Sequence, residues 1–154
     1  MKTAVILSDT HGNIRDIEKL LPIMMEADYV FHLGDCQNDI ELFAKELKSK
    51  LVCVKGNCDG GGEERVIIID GVKILLTHGD RYSVKTTPYK LLLRAREMGA
   101  KVAFYGHTHL AKIEEDDAVM LVNPGAFSGY GEKSYCYAVF YNGMVTVKIV
   151  PFNK

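Results

Sequence analysis

The sequence predicts an α/β protein, a two-layer sheet core with helices packed outside it. Three observations predict this. Short apolar runs rich in β-branched residues recur along the 154 residues, as strands do. Helical patterns fill the gaps between the runs up to residue 55, the alternation that gives parallel strands covered by helices. "DG" at 70–71 and "NG" at 142–143 then mark tight hairpins, so the second half is richer in antiparallel strands. At this length one domain, 1–154, buries a sizeable apolar core without staples. The strand order is not fixed by these signals.

The elements follow in order. "TAVIL" (3–7) is the first strand. Ile14, Ile17, Leu20, Leu21, Met24 and Met25 then repeat at helical spacing behind Asn13, a candidate cap. Pro22 is expected to kink or shorten that helix, since it lacks an N–H and crowds the preceding turn. "YVFHL" (29–33) and "LVCV" (51–54) are strands, and between them Ile40, Phe43, Ala44 and Leu47 form a second helical pattern. "RVIII" (65–69) and "VKILL" (72–76) pair across Asp70–Gly71. A third helix opens with Thr87 as cap and Pro88 at its first position, carries Leu91, Leu92, Ala95 and Met98, and stops at Gly99. "VAFY" (102–105), "VMLV" (119–122), "YCYAVFY" (135–141) and "MVTVKIV" (144–150) complete the strands.

Composition excludes several classes of function. Nineteen basic against twenty acidic residues leave a formal charge of −1, without the cationic surface that a nucleic-acid polymer requires. No apolar run approaches the roughly 18 residues that span a bilayer, so no membrane partner is expected. "MKTAVILSDTH" reaches an acid after six apolar or small residues, too short for a signal peptide, and Cys36, Cys53, Cys58 and Cys136 form no C-x-x-C pair. A reduced, cytoplasmic protein is expected. No linker, low-complexity tract or repeat interrupts the chain. Tyr130, Tyr135, Tyr137 and Tyr141 are open between a homo-oligomer interface and simple alternation on a final hairpin.

Five apolar runs end in a polar cluster: "VILSDTH" with Asp9 and His11, "FHLGDC" with Asp35, "CVKGNCD" with Asn57 and Asp59, "LLTHGD" with His78 and Asp80, and "FYGHTH" with His107 and His109. Loops beyond the carboxyl ends of neighbouring strands converge on one crevice in open α/β sheets, so clusters a hundred residues apart can meet. In D-x-H and H-x-H, residues i and i+2 of a chain leaving a strand in extended form face the same side. Gly12, Gly34, Gly56, Gly79 and Gly106 supply the tight turns. Four of the five histidines stand at this phase, whereas His32 lies inside its strand and is assigned to packing or support. Carboxylate, imidazole and amide donors with no thiolate demanded suit Mn²⁺, Fe²⁺, Ni²⁺ or Zn²⁺ better than a calcium cage.

The ordered set D-x-H, G-D, G-N-x-D, H-G and G-H-x-H resembles the calcineurin-like metallophosphoesterases, most closely their small single-domain phosphodiesterase branch. The likeness runs from residue 5 to about residue 128, ending in "NPGAFS". It implies a two-layer β-sandwich flanked by helices and a metal-dependent hydrolase of small phosphodiesters. It implies two divalent ions, with manganese expected: one held by Asp9, His11, Asp35 and His109, the other by Asp35, Asn57, His78 and His107. A bridging Asp35 holds such ions about 3.5 to 4 Å apart, and a hydroxide between them attacks phosphorus in line. Asn57 also donates its amide to the phosphate. Asn123, Gly125 and Ser128 are carried over as site-wall residues.

The chain departs from the family at position 58, where many larger relatives place a His thought to protonate the leaving oxygen. Cys58, a thiol with an ordinary pKa of about 8.5, is a poorer donor, so either leaving groups that need little protonation are favoured or Asp59 or water takes that task. Asp80 is open between approaching the metals and turning the chain, "GGG" (60–62) between an anion-binding concavity and a mobile loop, and Arg81, Tyr82 and Lys85 between substrate contact and a solvated loop. A second class of function is a non-catalytic scaffold, since the small retromer subunit resembles this fold with degraded metal motifs. The intact donor set argues for chemistry, because an unused cluster of acids and buried imidazoles costs stability. A structural zinc module fails on ligand count and on the lack of cysteine pairs.

Overall fold

Along Lys2–Leu7 (β1) the side chains alternate, Ala4 and Ile6 facing one way and Val5 and Leu7 the other, and all four are fully buried. A strand buried on both faces lies in the middle of a layered molecule. In the computed structural model, which describes residues 1–129 and 131–152, the further strands are Tyr29–His32 (β2), Leu51–Cys53 (β3), Glu64–Ile69 (β4), Val72–Thr77 (β5), Val102–Phe104 (β6), Lys112–Asp116 (β7), Val119–Asn123 (β8), Lys133–Tyr141 (β9) and Met144–Phe152 (β10). They form two five-stranded sheets, ordered β10-β9-β1-β2-β3 and β4-β5-β6-β8-β7. β1, β2 and β3 run parallel, as do β5, β6 and β8, while the hairpin partners are antiparallel.

Between the sheets lie Ala4, Ile6, Phe31, Ile74, Leu76, Phe104, Val122 and Phe140. Outside the first sheet, Val5, Leu7 and Val30 pack on Ile17, Leu20 and Met24 of Ile14–Glu26 (α1) and on Ile40 and Leu47 of the one-turn helices Asn38–Glu41 (α2) and Ala44–Leu47 (α3). Outside the second, Leu75, Ala103 and Leu121 pack on Leu91, Leu92 and Ala95 of Tyr89–Met98 (α4). Each fully buried Ile, Leu or Phe contributes roughly 2 kcal/mol or more, above the ~0 to 1 kcal/mol of a surface ion pair. Apolar alternation therefore sets the layering, the expected sheet core with helices outside.

Five local expectations change. α1 continues through Pro22, because that residue lies on the exposed face, where water reaches the Glu18 carbonyl left without its N–H. The second helical pattern splits into α2 and α3 around Leu42 and Phe43. Pro88 stands just before the third helix rather than inside it, and the Tyr89 N–H donates to Thr87 Oγ1 at 3.3 Å. β7, "KIEED", has no apolar run to announce it; it forms because residues 117–118 turn the chain back onto β8. Asn13 makes no side-chain cap but donates to Asp16 and to the Phe127 carbonyl. Tyr135 is 6% exposed in the core, Tyr137 is half-buried and Tyr141 is exposed, so these three tyrosines form no shared exposed face; Tyr130 lies outside the described residues. Among the described residues no helix is long and apolar enough to cross a membrane.

Candidate metal centre

The loops after β1, β2, β3, β5 and β6 meet at one edge, where main-chain bonds tie neighbouring loops within each sheet and a backbone-to-carboxylate bond joins the two sheets. Asp9 N–H donates to the Gly34 carbonyl at 2.9 Å, Gly106 N–H to the His78 carbonyl at 2.9 Å, and His107 N–H crosses between sheets to Asp9 Oδ2 at 3.1 Å. The side chains do not converge through an extended backbone, as the i, i+2 spacing suggests. Asp9, His11, Asp35, His107 and His109 have φ of 55, 40, 61, 70 and 65°, all in the left-handed region. Non-glycine residues enter it seldom, Asn, Asp and His most often. These left-handed turns fold the loops back over the sheet edge and aim both members of each pair at the centre.

Two triads result. Donor atoms of Asp9, His11 and His109 lie within 4.8 Å of one another, and so do those of Asp35, His78 and His107. Asp9 Oδ1 faces His109 Nε2 at 3.1 Å, His11 Nε2 at 3.7 Å and His78 Nε2 at 3.9 Å. Asp35 Oδ2 faces His78 Nε2 at 3.3 Å and His11 Nε2 at 3.8 Å, so it looks into both triads. His107 Nδ1 stands 3.2 Å from His78 Nε2. With metal–donor bonds of about 2.1 Å, neighbouring donors lie roughly 3.0 Å apart on an octahedron and 3.4 Å apart on a tetrahedron. The spacings of 3.1, 3.2 and 3.3 Å match the edges of such a shell, and those of 3.7 to 3.9 Å are longer than an edge.

The surrounding bonds leave lone pairs free for that purpose. Asp9 is fully buried, yet among the described residues its Oδ1 accepts no hydrogen bond while Oδ2 accepts from Ser8 Oγ at 2.6 Å. A buried carboxylate oxygen without a donor costs free energy unless a cation meets it. Asp35 Oδ1 accepts the Cys58 N–H at 2.9 Å, which leaves Oδ2 for the centre. His78 Nδ1–H donates to the Leu33 carbonyl at 2.8 Å, fixing the tautomer in which Nε2 presents its lone pair. Burial favours a protonated Asp35, but the Cys58 N–H and the imidazoles of His78 and His11 outweigh it and hold the carboxyl below its ordinary pKa. Burial, with His78 and Lys85, lowers the His107 pKa and favours the neutral ligand form. The donor set and its bonding fit divalent ions.

Behind the donors runs a buried polar chain centred on His32, the residue assigned to packing or support, whose partners Thr10 and Asp39 the sequence did not reveal. Gly34 N–H donates to His32 Nδ1 at 3.1 Å, His32 Nε2–H to Thr10 Oγ1 at 3.0 Å, and Thr10 Oγ1–H to Asp39 Oδ2 at 2.7 Å. Asp39 also accepts the Gly12 N–H at 2.7 Å. His32 thus ties the loops of Asp9, His11 and Asp35 together, and burial lowers its pKa to about 4. Asn123 braces the other sheet, donating to the Gly106 carbonyl and Thr108 Oγ1. Asn123 was expected at the site wall and His32 in a supporting role; for Thr10 and Thr108 the hint was only their place beside an Asp or His.

The remaining candidates lie at the rim. Asn57 and Cys58 are exposed on the turn Asn57–Asp59, with Asn57 Nδ2 3.9 Å from Cys58 Sγ. Asp59, expected to share in proton donation, is committed elsewhere: Oδ1 accepts the N–H groups of Cys36 and Gln37, and Oδ2 that of Gly56. It shapes the loop. Asp80 begins a turn beside Gly61. Arg81 donates to the Gly62 carbonyl and stacks over Tyr82, whose hydroxyl donates to Glu64. That ties the "GGG" loop to β4.

Fold and donor set together define the class, a two-sheet metallohydrolase with acids and imidazoles gathered at the strand ends. The chain belongs to the calcineurin-like phosphoesterase superfamily, whose domain model matches residues 1–142. It is 34% identical to a probable metallophosphoesterase of Bacillus subtilis over 126 residues, covering 79% of this chain and 73% of that one. It is 32% identical to a phosphodiesterase of Methanocaldococcus jannaschii over 148 residues, covering 81% and 84%. A predicted phosphoesterase of Streptococcus pneumoniae superposes with a TM-score of 0.80 at 26% identity, over 97% of this chain and 89% of that one. The Zn²⁺ complex of Vps29 from Entamoeba histolytica shares the fold, with a TM-score of 0.76 at 20% identity over 98% and 99%. The family and the sandwich expected from the motifs are both found.

Proposed function

We propose that the protein is a dinuclear metal-dependent phosphodiesterase of the cytoplasm acting on small phosphodiesters. The observation that carries this reading is the pairing of two donor triads around Asp35, beside the unsatisfied, buried Asp9 Oδ1. Asp9, His11, Asp35 and His109 would hold one ion, and Asp35, Asn57, His78 and His107 the other, with Mn²⁺ our expectation. Two such ions, when bound, supply a water acidified toward neutrality and Lewis-acid pull on the phosphoryl oxygens.

The chain's own groups do the rest. The His78–Leu33 and Asp35–Cys58 bonds hold the donors in place before substrate arrives, so little reorganisation is needed during reaction. Asn57 at the exposed rim offers its amide N–H to a phosphate oxygen. Asp59 is engaged with three backbone N–H groups and position 58 carries no imidazole, so the leaving oxygen takes its proton from solvent. Diesters with acidic leaving groups are accordingly favoured. The relative named a phosphodiesterase supports the substrate class; the likeness to Vps29 concerns fold alone.

The test is metal-reconstituted protein assayed against phosphomonoesters and diesters, cyclic nucleotides included. Metal-dependent turnover of diesters above monoesters is expected. Tight metal binding without turnover of any ester would replace this reading with that of a non-catalytic interaction module.

A further inference from the structure

A third group of donors shares this edge. Cys58 Sγ, an Asp35 oxygen and a ring nitrogen of His11 lie within 4.8 Å of one another, although Cys58 was set aside above as a weak proton donor. We infer that Cys58 is a thiolate ligand that gives the centre a thiophilic side, so that at the ion shared by His11 and Asp35 the expectation moves from Mn²⁺ to Zn²⁺, Co²⁺ or Cd²⁺, Mn²⁺ being kept for the other. This rests on the metal-binding reading above.

Four observations carry it. Cys58 N–H is bonded to Asp35 Oδ1 at 2.9 Å while Asp35 Oδ2 faces the imidazoles, so the thiol and the inward oxygen flank one space. Cys58 is exposed, and its Sγ already lies within 4.8 Å of the His11 and Asp35 donor atoms. Asn57 Nδ2–H points at Sγ from 3.9 Å, a donor suited to a sulfur that accepts. The fully buried Asp9 Oδ1, without a hydrogen bond and 3.7 Å from His11 Nε2, marks the space as a cation site independently of the cysteine. Binding exchanges the S–H proton, which passes to buffer, for an S–metal bond. Soft thiolate donors select thiophilic ions, whereas carboxylate and water suit Mn²⁺. Cys36, whose Sγ is 4.0 Å from His11 Nδ1, touches the other side of that ring and is the control.

The experiment is Co²⁺ titration of the full chain, read by visible d–d bands and by the near-ultraviolet sulfur-to-cobalt charge-transfer band. The charge-transfer band should appear in the parent protein, persist in Cys36→Ser and vanish in Cys58→Ser while the d–d bands remain. In competition, Cys58→Ser should lose about tenfold or more in Zn²⁺ affinity with little change for Mn²⁺. A charge-transfer band that is absent from the parent, survives Cys58→Ser or disappears with Cys36→Ser overturns the proposal while leaving the metal centre intact. A protein that shows no d–d bands overturns the metal-binding reading itself and this inference with it.

Discussion

The two ends of the sandwich use the same unusual backbone for different purposes. At the hairpin end, Asp70 and Gly71 have φ of 47 and 81°, and Asn142 and Gly143 of 49 and 80°. The two turns join across the sheets through Gly143 N–H to the Asp70 carbonyl at 2.8 Å. Asp70 and Asn142 are exposed, and their left-handed conformation does no more than close a turn. At the site end, five acids and imidazoles adopt that conformation, Asp9 and Asp35 are buried, and Asp9 Oδ1 lacks a donor. Where sheet geometry alone dictates the turn, local chemistry is satisfied. Where the turn aims donors at a shared centre, strain and desolvation accumulate until a ligand relieves them.

The largest effect expected at the site end comes from the shared carboxylate. Asp35→Asn keeps the oxygen that accepts the Cys58 N–H but removes the charge between the triads. Hydrolysis of bis-p-nitrophenyl phosphate should fall by at least about a thousandfold, roughly 4 kcal/mol in the barrier, and elemental analysis should find bound metal lost. Retained metal with undiminished turnover would remove Asp35 from the centre. No single substitution at Asp70 or Asn142 should change either quantity.

Close approach separates the ends next. A Cβ on Gly56 would stand 2.3 Å from Asp35 Oδ1 and 2.5 Å from the Asp35 nitrogen, whereas one on Gly143 meets nothing nearer than the Gly71 carbonyl at 4.0 Å. Gly56→Ala should cost about 3 kcal/mol in urea unfolding and weaken metal binding. Gly143→Ala should cost only the left-handed penalty, about 1 kcal/mol, with metal affinity unchanged. Equal losses in the two variants would show that crowding at Asp35 is unimportant.

The same contrast explains what was legible in the sequence. Hairpins announce themselves, because Asp-Gly and Asn-Gly are the residues that two-residue turns require. Strands and helices with apolar faces were equally legible, since burial imposes their period. β7 was not, because an edge strand of Lys, Glu and Asp carries no apolar signal. At the site, the residue types and their phase after each strand pointed to one cluster. The left-handed backbone did not follow from the D-x-H spacing, and neither did the engagement of Asp59 or the chain from His32 through Thr10 to Asp39. Those depend on which loops touch, and that is decided by the packing of the two sheets.

That buried chain makes the site end sensitive to acid in a way the hairpin end is not. His32 is neutral in the folded protein, with its pKa lowered from 6.5 to about 4. The unfolded chain therefore binds the proton more readily, so the contribution of neutral His32 is complete above about pH 6.5 and is lost as pH falls toward about 4. The full loss is about 3 kcal/mol. Urea midpoints of the parent should drop over that window, and His32→Gln, though less stable at neutral pH, should show a flatter profile. A parallel decline in both proteins would mean that some other group titrates.

The smallest effect concerns the strain itself, and it takes paired substitutions to see it. Ala and Gly at position 109 both remove the imidazole, so their difference in metal-free protein reports the backbone alone. Gly ordinarily costs stability relative to Ala through the entropy of the unfolded chain, but at φ of 65° the Ala Cβ is the greater burden. His109→Gly should exceed His109→Ala by about 1 kcal/mol, and Asn142→Gly should exceed Asn142→Ala by a similar margin. The ends then part against their parent residues. Asn is at home in the left-handed region, so Asn142→Gly should be nearly neutral. His109 faces Asp9 Oδ1 at 3.1 Å, a left-handed posture that serves metal binding rather than the turn, so His109→Gly should stabilise the metal-free protein by a few tenths up to about 1 kcal/mol. If the two Gly variants behave alike, the left-handed ligand loops store no strain that metal binding could release.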